Sequence, residues 1–304
     1  MQKIKVVISG IFYPVTMMEY FIRAFERRED VELKTAGSFS GAYIPWNGGM
    51  YINQKYVRTP DICLPFPPQP TDPTYVEKKL PWKPDLWIQV DAGWHFSRRP
   101  EATKSVGIAT DPHVLNYDPL RATSDILFNM QLVYKQPSDV YLPYAYDPML
   151  HKHIKVETEY DACLIGLQYT QRQQLIDALR RDSISVNQDI GKVYEEFVLA
   201  YNKSKVALNW SSLDDLNART FEAMGMGIPL VTNRVTDLSN FFVEGEHYLG
   251  FNDIPEAIIQ VKKVLDNPEE AEHMARSAHR KAKAGHTYDI RVSQILDRCG
   301  YGKL

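Results

Sequence analysis

The chain has 304 residues, of which 44% are hydrophobic and 24% charged, with a formal net charge of −3 at pH 7. It can fill two cores of ordinary domain size and offers no global basic field for nucleic acid or an anionic membrane. Cys63, Cys163 and Cys299 are odd in number and lack metal-ligand spacing, which argues against a disulfide framework and for a reducing, cytoplasmic setting.

Short apolar runs alternate with longer amphipathic ones, the pattern of parallel sheets covered by helices, so an α/β fold is expected. Lys5 to Ser9 reads as a first buried strand rather than a leader, and no apolar run reaches the length of a membrane span. Thr16 to Arg28 follows as a helix with Met17, Tyr20, Phe21, Ala24 and Phe25 on one side, then Val31 to Ala36 as a strand. Residues 37 to 84 are rich in proline, with Leu64-Pro65-Phe66-Pro67-Pro68-Gln69-Pro70, and predict a surface excursion or lid. Leu86 to Val90, Ser105 to Ala109 and Ile126 to Asn129 read as further parallel strands.

A polar stretch from Asp147 to Glu159, with His151, Lys152, His153 and Lys155, predicts a connection between domains spanning 1–150 and 151–304. The second domain repeats the alternation. Leu164-Ile165 is a strand, Gln171 to Arg181 a helix, Ser183 to Val186 a strand, Val193 to Asn202 a helix and Val206 to Trp210 a strand. Strand Pro229 to Thr232, helix Leu238 to Val243, strand Tyr248 to Phe251 and helix Pro255 to Leu265 follow. Asn267-Pro268-Glu269-Glu270 predicts a helix start with Asn267 as its N-cap.

The densest chemical signal is Arg219-Thr220-Phe221-Glu222-Ala223-Met224-Gly225-Met226-Gly227, a short helix and glycine turn before the apolar strand Pro229 to Thr232. Arg219 and Glu222 share one helical face. An arginine at a helix N-terminus can neutralise a diphosphate, and a glutamate one turn on can accept hydrogen bonds from two ribose hydroxyls. An amphipathic helix that simply ends at a glycine would look similar. Gly166 with Tyr169 and Arg172 forms a second candidate, a glycine turn after a strand with an arginine in reach of a phosphate. Arg172 could equally be solvated on its helix. Asn209 and Ser211, with Ser212, would line the same crevice or serve as turn formers. In the first half, Asp91 with His95 and Asp111 with His113 follow strands and are candidates for binding an acceptor hydroxyl or exchanging its proton.

Several motifs are missing: no strand-linked G-x-G-x-x-G, no phosphate loop ending in Gly-Lys-Ser/Thr, no H-E-x-x-H, no G-x-S-x-G and no Asp-x-Asp. This weakens dehydrogenase, ATPase, metalloprotease, hydrolase and metal-dependent transferase readings.

The Arg219 to Thr232 stretch resembles the C-terminal half of GT-B glycosyltransferases, in particular CgeB-like proteins related to glycosyltransferase family 4. The likeness extends to Tyr201-Asn202-Lys203-Ser204-Lys205-Val206-Ala207-Leu208-Asn209-Trp210, to Asp161 through Tyr169 with Arg172, to Leu142-Pro143-Tyr144-Ala145-Tyr146-Asp147-Pro148 and to His286-Thr287-Tyr288-Asp289-Ile290-Arg291. It implies two Rossmann-like domains with parallel sheets facing a cleft. The last helix, about residues 288 to 304, would cross back to the first domain.

A retaining glycosyltransferase is then expected, needing no cofactor or metal and taking a nucleotide-sugar donor, a UDP-sugar foremost. The residues around Tyr169 and Ile190 suit uridine, guanosine or another base alike. Gly166, Tyr169, Arg172, Asn209, Ser211, Arg219, Thr220 and Glu222 would bind the donor. Asp214 stands seven intervening residues before Glu222, where the family has a glutamate; it would lie near the transferring sugar or mark a departure from the family, and it could equally be a helix-capping or turn residue beside Asp215 and Asn217. Asp111-Pro112-His113 resembles an aspartate-proline element of the CgeB-like proteins. With Asp91 and His95 it would serve the acceptor, which the sequence leaves open among glycan, protein, small molecule and modified nucleic-acid base. For the last, Arg98-Arg99, Lys78-Lys79, Trp82, Trp87 and Trp94 could form a contact surface. A GT-B-fold sugar-nucleotide epimerase and an inactive binding or spore-coat-type protein are the alternatives.

Overall fold

The computed structural model describes residues 3–14, 16–44, 49–69, 71–91, 93–211, 213 and 215–302. The chain divides into two units, one of Met1–Pro143 with Tyr288–Leu304 and one of Tyr144–Thr287.

In the first unit, β1 (Ile4–Phe12) is buried from Val6 onward, because an apolar run in a parallel sheet is covered on both faces. Helix α1 (Met17–Glu26), strand β2 (Val31–Phe39), the short pair β3 (Tyr43–Ile44) and β4 (Met50–Tyr51), strand β5 (Ile62–Leu64) and helix α2 (Thr74–Glu77) follow. Then come β6 (Leu86–Asp91), β7 (Lys104–Ala109), α3 (Asp118–Ala122), β8 (Ile126–Asn129) and β9 (Val140–Tyr141). Among the described residues the main sheet runs β5-β2-β1-β6-β7-β8-β9, all parallel. Val6 stands opposite Leu33 on one side and Leu86 on the other, so strand order reverses beside β1 as in doubly wound sheets.

The proline-rich region is not only a surface excursion. Gly37 to Phe39 prolong β2, and Ile62-Cys63-Leu64 joins the sheet as an edge strand with Ala36 opposite Ile62. A strand of three residues, with Pro60 and Pro65 close to either end, is too short for a period to show, and prolines are tolerated at the ends of an edge strand. Ile62, Leu64 and Val76 pack with Trp87, Trp94 and Phe96.

In the second unit, β10 (Tyr160–Ile165), α4 (Thr170–Arg181), β11 (Val186–Asp189), α5 (Tyr194–Asn202) and β12 (Ser204–Asn209) lead to α6 (Ala218–Met226). The unit continues through β13 (Leu230–Asn233), β14 (Leu249–Phe251), α7 (Ile254–Asp266) and α8 (Pro268–Gly285). The parallel sheet runs β11-β10-β12-β13-β14. Leu164, Leu175, Ile176, Leu208, Val231, Phe251 and Val261 form its core, each such side chain worth about 1.5–3 kcal/mol when buried. Cys163 is fully buried in this sheet. The last helix, α9 (Tyr288–Arg298), packs in the first unit, where Tyr288 stacks on Tyr20 at 5.2 Å and Arg291 donates to the Pro143 carbonyl at 2.7 Å.

Three local expectations change. Ser183 turns with φ +62 and the strand begins only at Val186; Ile184 is buried in the core among residues such as Leu175, Ile176 and Leu179 without being part of the strand. The expected helix at 238 to 243 is one 3-10 turn, Leu238–Asn240. The Asn267 side chain caps no N-terminus; its amide donates to Lys263 O at 2.9 Å and closes the preceding α7 instead.

Candidate functional site

The order β11-β10-β12-β13-β14 puts the reversal of strand order between β10 and β12, the place where open α/β sheets bind ligands beyond their strand ends. β10 ends at Ile165 and Gly166 turns away with φ +133, a conformation essentially restricted to glycine. A Cβ here would also collide with the Arg219 guanidinium. Arg219, in the first turn of α6, spans the two strand ends, donating to Ile165 O and, at 2.9 Å, to Asn209 Oδ1. Its Nε is buried with no hydrogen-bond partner.

Side-chain amides and hydroxyls hold these strand ends in place. Asn217 Nδ2 donates to Asn209 Oδ1 and Ser211 Oγ, each at 3.0 Å. Asn209 Nδ2 donates to Thr232 Oγ1 at 3.0 Å, and the Ser211 N–H to Asn233 Oδ1 at 2.8 Å. Asn209 and Ser211 are thus held by these bonds, and Thr220 is buried in α6.

Arg172 is not solvated on its helix. Only 6% exposed, it donates Nε to Trp210 O at 2.7 Å and Nη1 to Leu167 O at 2.8 Å, with its guanidinium 4.8 Å from the half-exposed Tyr169 ring. Burial, and then the neighbouring Arg219 charge, push its pKa down to about 10. Among the described residues neither Arg172 nor Arg219 is paired with a carboxylate, whereas Arg58, Arg98, Arg121 and Arg234 all are. Helices α4 and α6 also start here without a side-chain N-cap bond, leaving backbone N–H groups and the positive dipole ends open. Two partly desolvated guanidiniums and two helix N-termini make a site for a multiply charged anion.

Glu222 lies one turn beyond Arg219 and is 7% exposed. His151 Nε2 stands 3.5 Å from its Oε1. The stretch expected to be a polar connection therefore folds His151 inward, to 1% exposure. The Asp147 carbonyl accepts from the His151 N–H at 2.8 Å, and Asp147 Oδ1 from the Met149 N–H at 2.8 Å, closing a single turn. Tyr201, fully buried, accepts the Ile165 N–H at 3.3 Å, and burial holds its phenol protonated well beyond neutral pH. His151, Asn217 and Tyr201 escape the sequence reading. The Asp-Pro turn start is the one local signal for the first; Asn217 bonds back to Asn209 and Ser211, eight and six residues earlier, and Tyr201 meets Ile165, 36 residues away. Beside the crevice, Trp210, Ser211, Asn233, Thr236 and Tyr248 line an open hollow of about 630 Å³.

In the first unit, Asp111 anchors the turn after β7. Its Oδ2 accepts from Thr110 Oγ1 at 2.7 Å, its N–H donates to the Tyr117 hydroxyl at 3.0 Å, and its carbonyl accepts from the Val114 and Leu115 N–H groups. His113 lies 5.9 Å from the Tyr134 ring, with Nδ1 unpaired. Asp91 ends β6 opposite Ala109, and His95 is half-buried just beyond. Asp214, Ser212 and the Asp91 side chain lie outside the described residues. Several members of the basic and aromatic surface suggested for nucleic acid are engaged within the protein. Trp87 and Trp94 are core residues, Trp82 donates to Glu32, Arg98 is held by Asp72 and Glu77, and Arg99 by Asp125.

Residues 149–297 match the model of a family described as glycosyl transferase-like. Solved structures resemble the chain over nearly its whole length. An α-glucosyltransferase in complex with UDP and a 13-mer DNA containing an HMU base aligns at a TM-score of 0.67 and 11% identity, covering 98% of this chain and 100% of that one. HepE from Anabaena in complex with UDP gives 0.66 and 9%, covering 98% and 100%. Sucrose-phosphate synthase from Thermosynechococcus elongatus gives 0.62 and 11%, covering 97% and 98%. At these identities the likeness is one of fold, GT-B, with two Rossmann-like units. A search of curated proteins finds no significant match.

Proposed function

We propose that the protein is a nucleotide-sugar-dependent glycosyltransferase, of the CgeB-like kind related to family 4, moving a hexosyl or pentosyl group from a UDP-sugar to an acceptor hydroxyl. The observation that carries this is the pair Arg172 and Arg219, two guanidiniums without acid partners among the described residues, meeting at the strand-order reversal beside Gly166. They would receive the diphosphate, with Gly166 allowing its close approach. Glu222 would accept the ribose hydroxyls and Tyr169 and Ile190 would flank the base. Thr220, Asn209, Ser211 and Asp214 would stand on the sugar side.

In the transfer the bond from anomeric carbon to diphosphate oxygen breaks and the bond to the acceptor oxygen forms. The acceptor proton passes to the departing diphosphate on the same face, so configuration is retained. Charge that develops on the leaving group falls on fixed cations, the arrangement most effective at lowering such barriers, and no metal is required. Asp111, His113, Asp91 and His95 would orient the acceptor.

The test is thermal stabilisation by UDP, GDP and their sugars in the wild type and Arg219→Met, followed by nucleotide release with and without acceptors in EDTA. A ligand at a hundred times its dissociation constant should add about 2.7 kcal/mol. Stabilisation lost in the variant, with acceptor-dependent release of the nucleotide, supports transfer; release without acceptor consumption, or no shift with any nucleotide, refutes it.

A further inference from the structure

Glu222 is a buried carboxylate whose described neighbour is an equally buried imidazole. His151 cannot choose its tautomer freely, because its Nδ1 accepts the Asp147 backbone N–H at 3.1 Å. An amide N–H always donates, so Nδ1 must keep its lone pair and the ring proton sits on Nε2. That Nε2–H is 3.5 Å from Glu222 Oε1, a few tenths of an ångström beyond hydrogen-bond range. The ring is further fixed by Phe197, edge-on at a centroid distance of 6.1 Å. Its backbone is fixed by the single turn that Asp147 closes.

We infer that His151 is a positioning residue for Glu222: its Nε2–H engages one carboxylate oxygen when a nucleotide binds, fixing the rotamer that presents the carboxylate to the ribose hydroxyls. This rests on the reading that Glu222 grips the ribose. The chain of constraint runs from the Asp147 N–H through the imidazole to the carboxylate, as a second group orients a first in metal and catalytic sites. Glu222 has several rotamers of its own, and a carboxylate held from behind loses less freedom when it binds a diol.

The experiment is titration calorimetry of the full chain with UDP and GDP and with their 2′,3′-dideoxy counterparts, on the wild type, Glu222→Gln, His151→Asn and His151→Gln. Asn can still accept the Asp147 N–H but has nothing at the Nε2 position, whereas Gln can place a donor there. Hydrogen bonds from a diol to a carboxylate should make the tighter ribonucleotide bind about 30–100-fold better than its dideoxy analogue. That ratio should fall about tenfold in His151→Asn, recover in large part in His151→Gln, and approach unity in Glu222→Gln.

If Glu222→Gln keeps the ratio, or neither ribonucleotide binds the wild type, the ribose reading fails and takes the inference with it. If Glu222→Gln loses the ratio and His151→Asn keeps it, whatever happens to its melting temperature, the ribose reading stands and the positioning role is overturned. Should His151→Asn not fold, nitrogen NMR of the wild type decides. A proton on Nε2 whose resonance moves downfield with the ribonucleotide and not with the dideoxy analogue supports the role; a proton on Nδ1 in the complex refutes it.

Discussion

Replacing Arg172 by methionine should separate two quantities that usually fall together, folding stability and ligand affinity. In the free protein Arg172 is a buried cation beside another cation, with its pKa held at about 10 by burial and then by Arg219. Because the folded value lies below the ordinary guanidinium range, the charged form is disfavoured on folding. The cost is present in full at neutral pH and is relieved only as pH rises past about 10. At about 1.4 kcal/mol per tenfold, the gap corresponds to about 3 kcal/mol. Methionine removes that cost but deprives the Trp210 and Leu167 carbonyls of their donor, a loss of about 1–3 kcal/mol each. The free variant should therefore lie between about 1 kcal/mol more stable and about 3 kcal/mol less stable than the wild type. Nucleotide affinity should fall by about 2–3 kcal/mol, or about 30–150-fold, the usual value of a charge-assisted bond to a phosphate. Urea unfolding and titration with UDP measure the two separately. A variant that is strongly destabilised yet binds nucleotide as before would mean that Arg172 is a strut for its loop and that no phosphate sits there.

The remaining expectations concern single side chains. Gly166→Ala forces a Cβ into a backbone at φ +133 and onto the Arg219 guanidinium; melting should fall by about 1–3 kcal/mol and nucleotide stabilisation should vanish, so an unaltered nucleotide shift would contradict the site. Of the three thiols only Cys63 is exposed, while burial pushes Cys163 up to about 12 and Cys299 up to about 11. Alkylation of the native protein at pH 8 followed by mass spectrometry should label Cys63 alone, and comparable labelling of Cys163 would disprove its placement. Burial works against the charge of Asp139, but bonds from Arg121, the Gln136 N–H and Asn129 prevail and hold its carboxyl below the usual range. Its stabilisation is present above about pH 4 and is lost as pH falls through the depressed value. Asp139→Asn should cost about 1–3 kcal/mol at pH 7 and flatten the acid unfolding limb; an equally steep limb would count against the pairing.

What could be read from the sequence depended on how local its cause was. The apolar runs of β1, β6, β7 and β10 are buried on both faces, so hydrophobicity alone marks them. β5 and β9, of three and two residues, exist because a neighbouring strand offers an edge, and nothing within so short a window carries that information. Asn267 shows the same limit from the other side. Its residue type and the following proline fit a helix start, yet the carbonyl of Lys263 in the preceding helix wins its side chain.

The two halves of the proposed reaction leave different marks because their ligands differ in chemistry. A diphosphate demands positive charge and close backbone approach at a strand end. That restricts residue types at a few positions, so Gly166, Arg172, Arg219 and Glu222 could be singled out from type and spacing. The structure brings Gly166, Arg172 and Arg219 to one strand-order reversal, with Glu222 one turn beyond Arg219 in the same helix. An acceptor hydroxyl makes no comparable demand. Asp111 and His113 are types that equally well build a turn, and Asp111 is engaged in one, holding Val114 and Leu115 through its carbonyl and Thr110 through its carboxylate. His151 belongs to a third category. It requires neither charge nor a glycine, only an imidazole whose tautomer is set by a backbone N–H four residues earlier. A histidine in a polar stretch therefore gives no hint of that role until the turn from Asp147 carries it inward to Glu222.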